Sequence, residues 1–333
     1  MTKEKNKKRK FWFLLLWFLI VGIFLGTSTY AWFSTNRITD IEFVDVHIET
    51  DGGIEVSTNA LDWKSVLSVN DIVEAYKTYG RCTNQVPYRF MPMSTAGITD
   101  GNGYLYMYYG NLENVDSGEY ILSAKRQVET RCSGEECSGY FISFDVFIRT
   151  SVERKLYLSN ESFVTYLGDE SVGIENSARV AFVIEGNVPK ETNINTVQNL
   201  NGGSNDDVII WEPNYDVHTS SGVSNAMSVF DIVTTEEDAL AIPYDGLINP
   251  ILFSQNINIK NANSVHYPNY FKPVNVKVYT KSVNNENKEL FDIKRGITKI
   301  KIYMWLEGQD VDSENNASFG DIRYNLQFTL NPQ

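Results

Sequence analysis

Tyr140-Phe-Ile-Ser-Phe-Asp-Val-Phe-Ile-Arg-Thr150 and Thr298-Lys-Ile-Lys-Ile-Tyr-Met-Trp-Leu306 are the stretches that decide the fold. In the first, Ile142, Phe144, Val146 and Ile148 alternate with Ser143, Asp145, Phe147 and Arg149. In the second, Ile300, Ile302, Met304 and Leu306 face away from Lys299, Lys301, Tyr303 and Trp305. Successive strand side chains point to opposite faces, so each run offers one apolar face for burial and one wetter face. The same period recurs at Val44, Val46 and Ile48, at Val274, Val276 and Val278, and from Ile322 through Tyr324, Leu326 and Phe328 to Leu330. Such strands suit antiparallel sheets solvated on one side, and two such sheets must cover each other. The predicted fold class is therefore all-β, an antiparallel β-sandwich or jelly roll with a loop insertion and minor helices.

Helical signals are few. Ser68–Tyr79 carries a 3.6-residue pattern through Ile72, Val73, Ala75 and Tyr76, and Ser228–Leu240 has room for a helical turn. Tyr104–Tyr109 reads as an aromatic strand. Asn187–Asp206 is rich in Asn, Gly and Thr and reads as surface loop, and a second Asn-rich stretch covers Asn256–Asn269. The expected organisation is one β-domain over 32–333 with an insertion at about 187–270, the alternative being a split near residue 190. No fixed-period repeat is visible, which argues against a solenoid.

The first 31 residues read as a signal peptide or membrane anchor. Lys3, Lys5, Lys7, Lys8, Arg9 and Lys10 precede an uninterrupted apolar run from Phe11 to Leu25, and Gly26-Thr-Ser-Thr-Tyr-Ala31 follows as a small-residue exit. Thr29 and Ala31 place small residues for a cut between Ala31 and Trp32. The run is shorter than the ~20 residues that span a bilayer comfortably, but Thr27–Phe33 could extend it as an uncleaved apolar helix. The chain as a whole carries a formal charge of −13, and removing the basic leader makes the remainder more acidic still. Such a body repels phosphate backbones, so no nucleic-acid partner is expected.

Chemistry-bearing motifs are scarce. His47, His218 and His266 are the only histidines, and they read as solvated surface residues. No H-E-x-x-H, no G-x-S-x-G and no phosphate-binding glycine loop occurs, so no catalytic residues are assigned and the chain is read as not an enzyme. Cys132 and Cys137 enclose a polar turn and are the disulfide candidates, with Cys82 as an alternative partner for either. Asp310, Asp312, Glu314 and Asp321 superficially follow the ligand spacing of an EF-hand. Asn315, however, stands where that loop turns on glycine, and the flanks read as strands. A looser calcium site is the weaker reading there and a solvated acidic hairpin loop the stronger; no other cofactor is expected. Trp211-Glu-Pro-Asn-Tyr215 could stack on sugars, but Trp211 is better read as the buried end of a strand over Val208–Ile210, followed by a turn at Pro213-Asn214.

Thr29-Tyr-Ala-Trp-Phe-Ser-Thr-Asn36 resembles the cleavage region of the TasA/camelysin family of Gram-positive surface and biofilm-matrix proteins. In that family an Ala is followed by aromatics and a polar residue, and a dedicated ER-type signal peptidase removes the leader. Tyr140–Leu158 looks like the family's central strand, and Ile302–Phe328, with Trp305-Leu-Glu-Gly-Gln-Asp310, like the C-terminal strand pair of related exported proteins. Residues 50–135 and 187–270 show no match. The resemblance implies a jelly-roll subunit that assembles into extracellular fibres by donating its mature N-terminal strand to a neighbour. Trp32, Phe33, Ile38, Ile41 and Phe43 would belong to that donor segment. Camelysin-type proteins are described as metallopeptidases, but the zinc-helix motif is missing here, so that activity is not carried over.

Three functions follow in order of preference. The first is an exported structural or matrix subunit, secreted or at the cell surface, with signal peptidase, other copies of itself and cell-wall or matrix components as partners. The second is a membrane-anchored adhesin or carbohydrate-binding surface protein. The third is an exported hydrolase using a carboxylate pair assembled by the fold.

Overall fold

Ile142–Thr150, Gly296–Leu306 and Ala178–Val188 lie side by side and antiparallel, and everything else is arranged around them. The computed structural model describes residues 39–40, 44–50, 53–115, 119–134, 136–167, 173–202, 208–230, 233–236, 244–280, 286–313 and 322–332. Over these residues the protein is mostly β, with several antiparallel sheets. The three long strands form the middle of an eight-stranded sheet. Gln85–Pro87 and Glu55–Ser57 extend it from Ile142–Thr150, and Val208–Glu212 extends it from Ala178–Val188.

A six-stranded sheet covers one face. It contains Lys288–Ile293, Arg154–Leu158, Phe163–Tyr166, Ile322–Thr329, Val44–Thr50 and Val66–Leu67. The two sheets share one apolar core. Phe144, Phe182 and Ile302 of the larger sheet belong to the same cluster as Leu156, Tyr324 and Leu326 of the smaller. The period-two reading of the sequence is the physical origin of this face: the apolar member of each alternating pair is the one buried between sheets. Gly296 starts the central strand at φ +124°, where a side chain would meet Val188 O at 2.2 Å, so only glycine fits that entry.

The other face of the large sheet is also covered, and this departs from the expectation of a wet face. A four-stranded sheet of Met93–Ser94, Met107–Asn114, Tyr120–Gln127 and Ile257–Asn258 contributes, together with the segments around it. Met93, Leu105, Met107 and Phe141 pack on Ala181, Val183, Tyr303 and Trp305. Ala75, Tyr79, Cys82 and Val197 pack on Phe147 and Ile297. All of Gly296–Leu306 is consequently buried, including Lys299 at 4% and Lys301 at 2% exposure.

Several local expectations shift. The seven-residue pairing of Val44–Thr50 with Ile322–Thr329 is parallel, as are two short pairings of the large sheet, so the sheets are not purely antiparallel. Gly296–Leu306 and Ile322–Thr329 belong to different sheets, so the acidic segment between them crosses over and does not close a hairpin. Among the described residues the first helix covers Val69–Glu74 and continues as a 3-10 turn over Ala75–Lys77; Asp71 accepts from Ser68 N at 2.9 Å in a capping box. A later helix covers Ser220–Phe230 and overlaps the expected stretch at 228–230, with the Thr219 side chain accepting from Gly222 N at 2.9 Å in its first turn; residues 231–232 and 237–240 of that stretch lie outside the described residues. Tyr104–Tyr109 leads into Met107–Asn114. The span at about 187–270, read from sequence as an insertion, supplies Val208–Glu212 to the main sheet. It also supplies Leu247, Ile251, Ile257 and Ile259 to a separate core against Tyr108 and Leu122.

The packing hierarchy is measurable. Phe144→Ala, in the shared core, is expected to lower the unfolding free energy by ~3–5 kcal/mol in urea titration. Val265→Ala, at 84% exposure, should change it by no more than about 0.5 kcal/mol. Equal effects at the two positions would contradict the assignment of the core.

Candidate functional site

Val44–Thr50 is a seam between segments far apart in the sequence. Its residues pair in parallel with Ile322–Thr329, from Val44 opposite Ile322 to Thr50 opposite Phe328. Ile48 is fully buried in the shared core. On the other edge the strand is held by Val66–Leu67, which pairs with Ile48 and Glu49 only. Among the described residues no strand pairs with Val44–His47 on that edge. Upstream, Thr39–Asp40 pairs with Arg89–Phe90. The expected cleavage residues Ala31 and Trp32, and the donor residues Trp32, Phe33, Ile38, Ile41 and Phe43, lie outside the described residues. So does the apolar run Phe11–Leu25; among the described residues no helix is long and apolar enough to cross a membrane.

A second constellation sits on the covered outer face of the large sheet. Asp145 and Lys301 are register partners on adjacent strands, and Lys299 is two pairs further along, opposite Phe147. Lys301 Nζ lies 2.9 Å from Asp145 Oδ1 and 3.5 Å from Glu129 Oε1. Lys299 Nζ lies 3.2 Å from Asp145 Oδ2 and donates to the carbonyl oxygens of Leu200 at 2.8 Å and Gln198 at 3.3 Å. Tyr79 Oη donates to Asp145 Oδ2 at 2.8 Å, and Tyr303 Oη donates to Glu129 Oε1 at 2.9 Å. Glu185 occupies the extra position of a register shift in Ala178–Val188, and its carboxylate reaches toward Gly103, whose φ of +82° and missing Cβ leave it room.

Burial and charge divide these groups. Burial pushes Asp145 up, but Lys299 and Lys301 outweigh it and hold the carboxyl well below the usual range. Burial lowers Lys301, and the facing charges of Asp145 and Glu129 more than restore it. Glu129 is raised, by burial against the opposing pull of Lys301 and Tyr303. Burial pushes Glu185 up to about 8. Lys299 and Lys301 therefore both face Asp145, with Glu129 beside Lys301 and Glu185 raised to about 8 by its burial.

The loop after Gly296–Leu306 builds a third buried cluster. Arg179, 1% exposed, bridges Glu212 at 2.7 Å and Asp310. Asp310 Oδ1 accepts from Asp312 N at 2.8 Å, and Asp312 Oδ1 accepts from Thr219 N at 2.8 Å and Thr219 Oγ1 at 2.9 Å. His218 Nδ1 lies 2.7 Å from Asp312 Oδ2. Asp310 and Asp312 are thus not in a solvated acidic loop but are buried and bonded to protein donors, and His218 is not a surface histidine. Of the calcium candidates, Glu314 and Asp321 lie outside the described residues. Among the described residues no group of three His, Cys, Asp or Glu side chains is placed to hold a metal ion. Glu212, raised to about 7, and Glu307, raised to about 8, are both displaced by burial.

The remaining sequence candidates resolve locally. Cys132 and Cys137 are joined in a disulfide, while Cys82 is a buried thiol pushed up to about 11 by burial. Trp211 has 0% exposure and donates from Nε1 to Thr280 Oγ1 at 2.9 Å, which withdraws its ring from any sugar-stacking surface. Residues 213–216 form a turn, and His266 is exposed. Sequence reasoning missed the Asp145–Lys301–Glu129 cluster because alternation assigned the two lysines to solvent. Their signal was two cations on a strand with a large aromatic, Tyr303, on the same face. No family model, curated protein or solved structure matches the chain.

Raised carboxyl pKa values oppose stability as pH rises. An unfolded Glu ionises in the ordinary carboxylate range, whereas folded Glu185 holds its proton to about 8. Its penalty is absent in acid, grows between those two values and is constant above the higher one. Glu185→Gln should match the wild type near pH 5 and exceed it near pH 9 by on the order of a few kcal/mol, read from urea melts at each pH. Superimposable pH profiles for the two proteins would contradict this reading of Glu185.

Proposed function

We propose that this chain is an exported surface or matrix subunit, a β-sandwich of jelly-roll type that assembles by exchange of its N-terminal strand. The seam carries the reading: Val44–Thr50 lies parallel to Ile322–Thr329, and among the described residues only Ile48 and Glu49 of it pair with a strand on the far edge. Such a strand is held mainly along one edge, by Ile322–Thr329. The same segment from another copy restores the same contacts, which makes exchange a low-cost route to assembly. The vacated edge of Ile322–Thr329 offers unpaired backbone groups, the condition for strand addition. Export is supported by the basic leader and apolar run of residues 1–25, and cleavage after Ala31 would release the donor segment. In this reading the protein works by contact and not by catalysis, without a resident cofactor.

Negative-stain microscopy and size-exclusion chromatography of residues 32–333 are expected to show linear assemblies. Residues 53–333 should stay unassembled and take up a synthetic peptide covering 32–50. If residues 32–333 remain monomeric across salt and pH while folded by circular dichroism, the assembly reading is lost.

A further inference from the structure

The buried lysine–carboxylate cluster is too elaborate for a sheet that needs only apolar cover. Replacing a buried ion pair with well-packed apolar residues is often neutral or stabilising, so the pair is not explained by stability of the fold alone. Three features of its geometry bear on what it does. Lys301 and Asp145 face each other in register on neighbouring strands, at 2% and 1% exposure, with Nζ and Oδ1 2.9 Å apart. A second carboxylate, Glu129, touches the same amine, and its Oε2 has no hydrogen-bond partner among the described residues. The far oxygen of Asp145, Oδ2, is contacted by the Tyr79 hydroxyl and the Lys299 ammonium.

We propose that Lys301 and Asp145 condense into an intramolecular amide that links the strands Ile142–Thr150 and Gly296–Leu306 covalently. Two reacting groups held in van der Waals contact by the fold react as one molecule, and effective molarities for such arrangements are large. Burial excludes the water that would reverse the step and removes a desolvated ion pair as the product forms.

The step balances within the cluster. Glu129 takes a proton from the Lys301 ammonium and passes it to Asp145 Oδ1, so that a neutral amine faces a neutral carboxylic acid; the amine lone pair then attacks Cγ of Asp145, forming the N–C bond. Charge gathers on Oδ2, where Tyr79 and Lys299 are already aimed at it. A second proton moves from the Lys301 nitrogen to Oδ1, and the Cγ–Oδ1 bond breaks with its electron pair on that oxygen, which departs as water while Oδ2 becomes the amide carbonyl. Glu129 ends as it began, nothing is oxidised or reduced, and no co-reactant is needed. Lys299 is the stabilising cation and not the nucleophile. It is anchored on the Leu200 and Gln198 carbonyls, and of the two carboxylates it pairs only with Asp145.

The inference stands independently of export or strand exchange, since it concerns only the folded body. Its test is peptide mapping by mass spectrometry of the full chain, expressed, denatured, reduced and alkylated before trypsin digestion. The expected product is a branched peptide joining the segments that contain Asp145 and Lys301, lighter than their sum by one water, with cleavage after Lys301 lost. Glu129→Gln, checked for native fold by near-ultraviolet circular dichroism, should return the two peptides separately. Unmodified Asp145 and Lys301 peptides from natively folded wild type would overturn the proposal, and so would a bond from Lys301 to Glu129. A Glu129→Gln protein that is folded and fully cross-linked would overturn the role given to Glu129.

Discussion

Gly296–Leu306 is buried on both faces, and the rest of the molecule follows from that constraint. A strand with one wet face needs a single partner sheet. This one carries Ile300, Ile302 and Met304 toward the smaller sheet and Lys299, Lys301, Tyr303 and Trp305 away from it. The second set demands its own cover and its own counter-charges. The segments between residues 58 and 140 supply both: Met93, Leu105 and Met107 for the aromatics, and Tyr79 and Glu129 for the lysines and their carboxylate partner Asp145.

The polar clusters fit this logic. Each is a place where a charged residue in a buried layer lies against opposite charge supplied by neighbouring segments. Arg179, on the neighbouring strand, takes Glu212 and Asp310. Lys299 and Lys301 take Asp145, with Glu129 close to Lys301. The carboxyl groups with no cation close enough to compensate, Glu185 and Glu307, respond to burial by holding their protons to about 8. Ionisation state, and not only shape, is therefore distributed by the covering layer.

Much of the two-sheet core was legible in the sequence, because Ile142, Phe144, Val146 and Ile148, or Ile322, Tyr324, Leu326 and Phe328, alternate cleanly with polar residues. The parallel seam was not, since alternation states which face a residue occupies and is silent about the direction of its neighbour. The burial of Lys299 and Asp145 was invisible for a related reason. A period of two distinguishes apolar from polar, but a buried ion pair and a solvated pair read alike. Asp310 and Asp312 illustrate the same limit: their spacing suggested an exposed loop, while their oxygens are taken by Arg179, Thr219 and His218, residues distant in the chain. Trp211 was readable because a Trp at the end of a Val-Ile-Ile run carries its own apolar context.

Native-state hydrogen exchange tests the central role of the doubly buried strand most directly. Backbone amides of Ile300–Met304 should exchange last in the molecule, only through global unfolding, together with those of Phe144–Val146 and Val180–Phe182. Val44–Thr50 should open earlier, at lower free energy. Exchange of Ile300–Met304 at the rate of that peripheral strand, or before it, would contradict the claim that the fold is organised around Gly296–Leu306.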